Sequence, residues 1–173
     1  LQVDDLIKSG LQNEYLKKLL NFKEESTYNL RTAKVINLGS GPIFSSLTID
    51  LGSNDGIKKN LPIITTNGIV GKTILINEET SLVQTINDAN FRLSVKILPS
   101  EATGIMRFYD NDVFEIREIQ KNANIKIGDK VVTSGFSKIY PEGLNAGVVT
   151  EIIDNRGSFQ KVARSKNPYS ENN

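Results

Sequence analysis

Ser134 stands in "TSG" (Thr133–Gly135), a small-residue turn of the kind that can display a nucleophilic hydroxyl. A serine becomes a nucleophile only when a neighbouring base takes its proton, and the usual base is histidine. The chain contains no His. Its absence also removes the usual general base near neutral pH and the usual zinc ligand. There is no Cys, so neither thiolate chemistry nor a disulfide framework is available. A Ser–Lys dyad needs S-x-x-K at the start of a buried helix. The single match, Ser158–Lys161 in "SFQK", falls at a hairpin turn entering a strand.

The carboxylates fare no better as catalysts or ligands. Asp50 and Asp55 flank "LGSN" and read as turn residues whose side chains bond nearby N–H groups, and Asp129 after Gly128 reads the same way. Asp110 and Asp112 in "YDND" lack the glycine and closing glutamate of a calcium loop. "NLGSGP" (Asn37–Pro42) is not followed by a helix start, so it offers an anion no helix N-terminus. "NGIVGK" has the wrong glycine spacing for a phosphate loop. Gly68 reads as a hairpin turn and Gly71 as a close backbone approach within a strand. The expectation is no catalytic residue, no metal and no cofactor.

These residues must be carried by strands. The 173 residues include 38% apolar ones and no Trp, so the core rests on Ile, Leu and Val, which suit a pleated surface. From Thr32 onward the pattern has period two. Eleven short runs follow: "TAKVINL", "SSLTIDLG", "LPIITT", "GIVGKTILI", "TSLVQTIN", "FRLSVKIL", "GIMRFY", "VFEIREI", "DKVVTS", "AGVVTEIID" and "FQKVARS". Turn residues punctuate most of the gaps and no helical run intervenes, which indicates antiparallel β structure. So many strands curl or split, and two small antiparallel barrels are expected, at 29–100 and 101–165, with strands open to exchange between them. A polar tail at 166–173 has little to bury and is expected to be disordered.

Residues 1–28 differ. Leu6, Asn13, Leu16 and Leu20 fall at coiled-coil-like spacing, and Ile7, Leu11, Tyr15 and Leu19 form an adjacent stripe. The helix reads either as a coiled-coil end that pairs two chains, with Asn13 setting register, or as a helix packed on its own domain. The chain opens on Leu1 within this pattern, which reads as a fragment of a longer protein. No stretch approaches the 18 or so apolar residues of a membrane span. Twenty-one basic against 20 acidic residues leave a net charge of +1, with no field to draw nucleic acid.

One unit is written twice. "IKKNLPIITT" (Ile57–Thr66) echoes "IKIGDKVVTS" (Ile125–Ser134), and "VGKTILI" (Val70–Ile76) echoes "AGVVTEI" (Ala146–Ile152), with Gly71 on Gly147. Common strand–turn grammar is the competing explanation. The second copy is longer by eight residues, all in "GFSKIYPEG". Surplus loop length is where function tends to sit. Phe136, Ser137, Lys138, Ile139, Tyr140 and Pro141 are therefore the candidate partner-binding residues. The competing role for the apolar ones is to plug the end of a barrel.

The ordered set of helix, "IDLGSNDGI", "GIVGK", "TSLV" and "GDKVVTSGFSKIYPEGLNAGVV" resembles the rod shape-determining MreC family over residues 12–163. The resemblance implies two small barrels of chymotrypsin-like topology and no enzymatic activity. It implies a scaffold of the cell-elongation machinery that binds the class B penicillin-binding protein and works with MreD, RodZ and MreB. It also implies self-association into homodimers or filaments, and a place on the extracytoplasmic (periplasmic) side of the inner membrane. A single N-terminal membrane helix, absent here, would be the anchor. The alternative is a glycan- or peptide-binding β-barrel module of the cell envelope, and a third reading is a degenerate hydrolase.

Overall fold

The computed structural model describes residues 2–25, 28–39 and 44–169. Two compact units divide the chain, Leu1–Ala33 and Lys34–Asn173. The first holds α1 (Gln2–Glu25), rich in the Leu, Lys, Glu and Gln that lose little on entering a helix. Leu11, Tyr15, Leu16 and Leu20 are all more than half exposed, and Asn13 is exposed beside them. The side chain of Leu6 lies outside the described residues.

In the second unit each period-two run becomes one strand. The order is β1 (Val35–Leu38), β2 (Ser46–Ile49), a 3₁₀ turn (Ser53–Asp55), β3 (Pro62–Thr65), β4 (Gly68–Ile76) and β5 (Ser81–Thr85). There follow β6 (Leu93–Leu98), β7 (Ala102–Asp110), β8 (Val113–Gln120), β9 (Lys130–Thr133), β10 (Asn145–Ile153) and β11 (Gln160–Lys166). All the pairings are antiparallel. Strands β6 to β11 close a barrel in the order β10-β11-β8-β7-β6-β9. The other five form a sheet in the order β1-β2-β5-β4-β3. The expected first barrel is thus a five-stranded sheet, and the expected boundary near residue 100 moves back because β6 pairs with β7 and β9.

The two halves share one wiring. Sheet order β1-β2-β5-β4-β3 is reproduced by β7-β8-β11-β10-β9 in the barrel, and β6 is the additional strand that joins its two ends. Ile63 faces Gly71 as Val131 faces Gly147. The Asn60 N–H donates to the Thr73 carbonyl and the Thr73 N–H to that of Leu61. The Gly128 N–H donates to Val149 and the Val149 N–H to Asp129 in the same way. Asn60 and Gly128 both hold positive φ, 64° and 93°. Bulges between Thr73 and Leu75 and between Val149 and Glu151 fall at matching places. At Gly71 a Cβ would meet the Gln84 carbonyl oxygen at 1.9 Å, and at Gly147 the Lys166 oxygen at 2.2 Å, so both positions need glycine for close backbone approach.

The main core runs through the barrel, with Phe91, Leu93, Val95, Ile97, Met106, Phe114, Ile116 and Val131 all at 2% exposure or less. Ile69 of β4 belongs to the same cluster, while Leu47, Ile49 and Val83 form a small separate core in the sheet. Part of the expected tail is ordered. Lys166 ends β11, and Tyr169 packs on the main core with its hydroxyl shared between the carbonyl oxygens of Gly68 (2.9 Å) and Ile69 (2.7 Å). An aromatic that can bury its ring and satisfy its hydroxyl at once is held there. Residues 170–173 lie outside the described residues.

Candidate partner-binding loop

The surplus residues of the second copy form the connection from Ser134 to Leu144, between β9 and β10. Its base is pinned by Thr133, which is fully buried. The Thr133 Oγ1 donates to the Pro141 carbonyl at 2.5 Å and accepts from the Leu144 N–H at 2.9 Å. Its backbone N–H reaches the Leu144 carbonyl at 2.9 Å, and its carbonyl accepts from the Gly143 N–H at 2.9 Å. Four bonds from one residue close the loop at both ends. Residue type gave no sign of this; the hint was only that Thr133 repeats Thr65. Lys96, on the neighbouring β6, pairs with Glu142 and, at 3.5 Å, with Glu101. The Glu142 hydrogen bond holds the Lys96 ammonium above its ordinary pKa.

The loop's side chains divide. Tyr140 is 5% exposed and meets Phe91 edge-on at 6.2 Å between centroids; Ile139 and Leu144 pack on the same core. Burial pushes the Tyr140 hydroxyl well above its ordinary pKa. Of the two roles open to the loop's apolar residues, Tyr140 takes the buried one, because burying an aromatic ring outweighs leaving it in water, and the half-buried Ile139 packs on the same core. Pro141 and Ser137 are half-buried, Ser137 accepting the Ile139 N–H at 3.2 Å. Phe136 and Lys138 stand out, Phe136 at 89% exposure.

The residues that could do chemistry are spent on structure. The Ser134 hydroxyl lies 2.8 Å from that of Ser94 and accepts the Phe136 N–H at 3.2 Å. Ser158 donates to the Gln160 carbonyl at 2.7 Å, while the Lys161 ammonium donates to the Ala123 carbonyl at 2.8 Å. Asp55 and Asp129 accept the N–H groups of Gly52 and Lys126 three residues away, as turn residues do. Asp50 differs from the expectation: it accepts the N–H of Lys34, sixteen residues earlier in the chain, just before β1. Asp110 and Asp112 are exposed. Among the described residues no group of three or more His, Cys, Asp or Glu is placed to hold a metal, and no helix is long and apolar enough to cross a membrane. Residues 40–43 of the "NLGSGP" stretch lie outside the described residues. A cleft of about 710 Å³ beside Pro99, Ala102, Asn124 and Lys126 and a shallower one at Ser53–Thr80 both lack an aromatic side chain.

The barrel core of the rod shape-determining protein MreC family matches residues 35–167, which takes in every strand described above. The chain belongs to the MreC family. The cell shape-determining protein MreC of Listeria monocytogenes is 29% identical over 94% of this chain and 56% of its own length. A solved MreC structure superposes with a TM-score of 0.85 at 26% identity, covering 92% of this chain and 91% of that one. The MreC of a complex between penicillin-binding protein PBP2 and MreC from Helicobacter pylori shares the fold, with a TM-score of 0.66 at 22% identity over 78% of this chain and 84% of that one. This chain spans about half the length of the curated MreC relatives it matches. MreC is a cell-shape-determining structural family, not an enzyme family.

Proposed function

We propose that this chain is the β-rich part of a scaffold of the bacterial cell-elongation machinery. It holds a class B penicillin-binding protein outside the inner membrane, with Phe136 as the apolar anchor of the contact and Ser137 and Lys138 beside it. The observation that carries the reading is Phe136 itself, 89% exposed on a loop whose base Thr133 fixes. A large apolar side chain held out by a pre-ordered loop loses little entropy on binding, which is the profile of an interface anchor. Support for the partner class comes from the shared fold with the MreC found in complex with PBP2. MreD, RodZ and MreB are partners of the same proposal. So is self-association through α1, supported by the exposed Leu16 and Leu20 beside Asn13.

The test is a titration of the chain against the extracytoplasmic part of the elongation-specific penicillin-binding protein from the same cell. Phe136→Ala is expected to weaken binding at least tenfold with unchanged melting temperature. Binding that survives Phe136→Glu would refute the loop as the contact. The glycan-binding alternative requires aromatic platforms, and neither cleft has one.

A further inference from the structure

Glu115 is a carboxylate on the outer face of the barrel that water barely reaches. Phe114 and Ile116 on either side of it are core residues, so Glu115 and Arg117 point outward by strand alternation. Yet Glu115 is only 5% exposed. Three arginines crowd it. The register sets Arg107 of β7 and Arg164 of β11 opposite Glu115, one on each side, and Arg117 follows two residues along β8. Arg117 reaches Glu115 Oε2 with Nε at 3.0 Å and Nη2 at 2.9 Å. Arg107 Nη2 approaches the same oxygen only to 3.5 Å. Arg164 Nε lies 3.8 Å from Oε1 and is buried without a hydrogen-bond partner. The rest of Arg164 is committed elsewhere. Its Nη1 donates to Glu151 Oε2 at 2.9 Å, and its guanidinium sits 4.6 Å over the Tyr109 ring.

The charges do not balance. Three guanidiniums share two carboxylates, and among the described residues no other carboxylate pairs with them. Glu151 answers Arg164, and Glu115 answers Arg117. Arg107 is left over: its side chain is 30% exposed and makes no hydrogen bond among the described residues. A guanidinium is a planar fork of donors that fits an oxyanion, and two like charges held at one oxygen favour the arrival of a further anion. Neither cleft described above takes in any of these residues. An exposed ion pair gains little in open water, so the anion needs to arrive on a surface that excludes water. A single surplus charge is too little to hold a polyanion such as nucleic acid or an anionic membrane. Arginine and tyrosine are instead the types that anchor protein interfaces, and Tyr109 is 51% exposed beside Arg164. We propose that the outer face of β7, β8 and β11 is a docking surface for a partner protein that presents an acidic side chain to Arg107 and Arg117. Glu115 orients the two forks, and the incoming carboxylate completes the charge balance. This face is separate from the Phe136 loop and does not depend on it.

The probe is the synthetic peptide acetyl-Ala-Glu-Tyr-Glu-Ala-amide. It is titrated into the isotope-labelled chain while the side-chain Nε–H resonances of Arg107 and Arg117 are followed. Both are expected to shift and to saturate. The same peptide with Gln for Glu is expected to bind at least tenfold more weakly. Arg107→Gln is expected to keep the melting temperature and to weaken binding at least tenfold, and Arg107→Lys, which keeps the charge but not the fork, to fall between. Arg156→Gln, at an exposed arginine of the β10–β11 hairpin, is expected to leave binding unchanged. Phe136→Ala is expected to leave it unchanged too, so the loop and the barrel face can fail separately. The proposal is overturned if the Arg107 resonance does not move, if the Gln peptide binds equally well, or if Arg156→Gln weakens binding as much as Arg107→Gln. It is also overturned if inorganic phosphate or phosphatidylglycerol vesicles shift Arg107 more readily than the peptide does, which would give the site to a phosphate group. A shift produced by rising protein concentration alone would make the occupant a second copy of the chain and overturn it as well.

Discussion

The five-stranded sheet and the closed barrel are two realisations of one strand order, and a single strand separates them. Among the described residues, sixteen buried ones form the contiguous main core around β6, Ile69 of β4 among them, while the sheet's own separate core has three. The difference shows that closure depends on a sixth strand lying between the two ends of the unit, more than on the turns, bulges and glycines that both copies share. The same substitution in each half measures this. Ile116 is fully buried in the barrel and Ile49 is 2% exposed in the sheet. Ile116→Ala is expected to cost about 4 kcal/mol and Ile49→Ala about 2 kcal/mol, because a cavity near an open edge collapses more readily. Urea midpoints of the two variants decide it, and equal losses would break the contrast.

The shared features should respond alike. Gly71→Ala and Gly147→Ala both drive a methyl into a strand carbonyl, and Gly147 also holds φ at 132°. Each is expected to cost on the order of 2–3 kcal/mol, with Gly147 the larger. Gly143 holds φ at 88°, and a Cβ added there would meet nothing within 4 Å. Gly143→Ala should therefore cost only the backbone term, about 1 kcal/mol. If Gly143→Ala costs as much as Gly147→Ala, close approach is not what fixes the repeated glycines.

Tyr169 ties the halves together. From the end of β11 it bonds the start of β4, where the Asn145 side-chain amide also donates to the Asn67 carbonyl at 2.6 Å. Tyr169→Phe is expected to cost about 1 kcal/mol at neutral pH. Burial pushes the Tyr169 hydroxyl up to about 12, and it raises that of Tyr140 as well. An unfolded tyrosine ionises near pH 10. Between pH 10 and about 12 the unfolded chain releases protons that the folded chain keeps. Stability is therefore level in this respect below pH 10 and falls as pH rises through the window. Chemical denaturation at pH 9 and pH 11 should show the fall, and Tyr169→Phe should reduce it. An undiminished fall in the variant would assign it to other groups.

The strands were legible because period-two alternation is a local signal, and every run became one strand. The repeat was legible through Gly71 and Gly147, since close backbone approach restricts residue type. Closure was not. The pairing of Val95 with Thr133 joins residues 38 apart in sequence, and nothing in "FRLSVKIL" states which strands it lies between. The loop was legible as a surplus, but not the direction of its side chains. Aromatic residues in a segment without periodicity carry no record of which face they take, so Phe136 outside and Tyr140 inside had to be seen. Tyr169 was hidden by its polar neighbours, among which one ring and one hydroxyl outweigh average composition.

The smallest expected effect sharpens the comparison at the hairpins. In the sheet, β3 and β4 are joined by Thr66 and Asn67 alone, with the Asn67 N–H donating to Thr65 Oγ1 at 3.2 Å. At the equivalent place Thr133 accepts the Leu144 N–H instead. The hairpin thus closes on the same threonine whether two residues or eleven intervene. Folding needs from the longer loop the side chains that pack on the barrel core, Ile139, Tyr140 and Leu144, and nothing from the side chain that points away. Phe136→Ala is accordingly expected to change stability by no more than about 0.5 kcal/mol. Thr133→Val, which removes both side-chain bonds, should cost about 2 kcal/mol, because buried loop groups lose their partner. Thermal melts of the two variants compare them directly. A Phe136→Ala loss as large as that of Thr133→Val would mean that the exposed ring belongs to the fold, and it would withdraw Phe136 as the anchor of a partner.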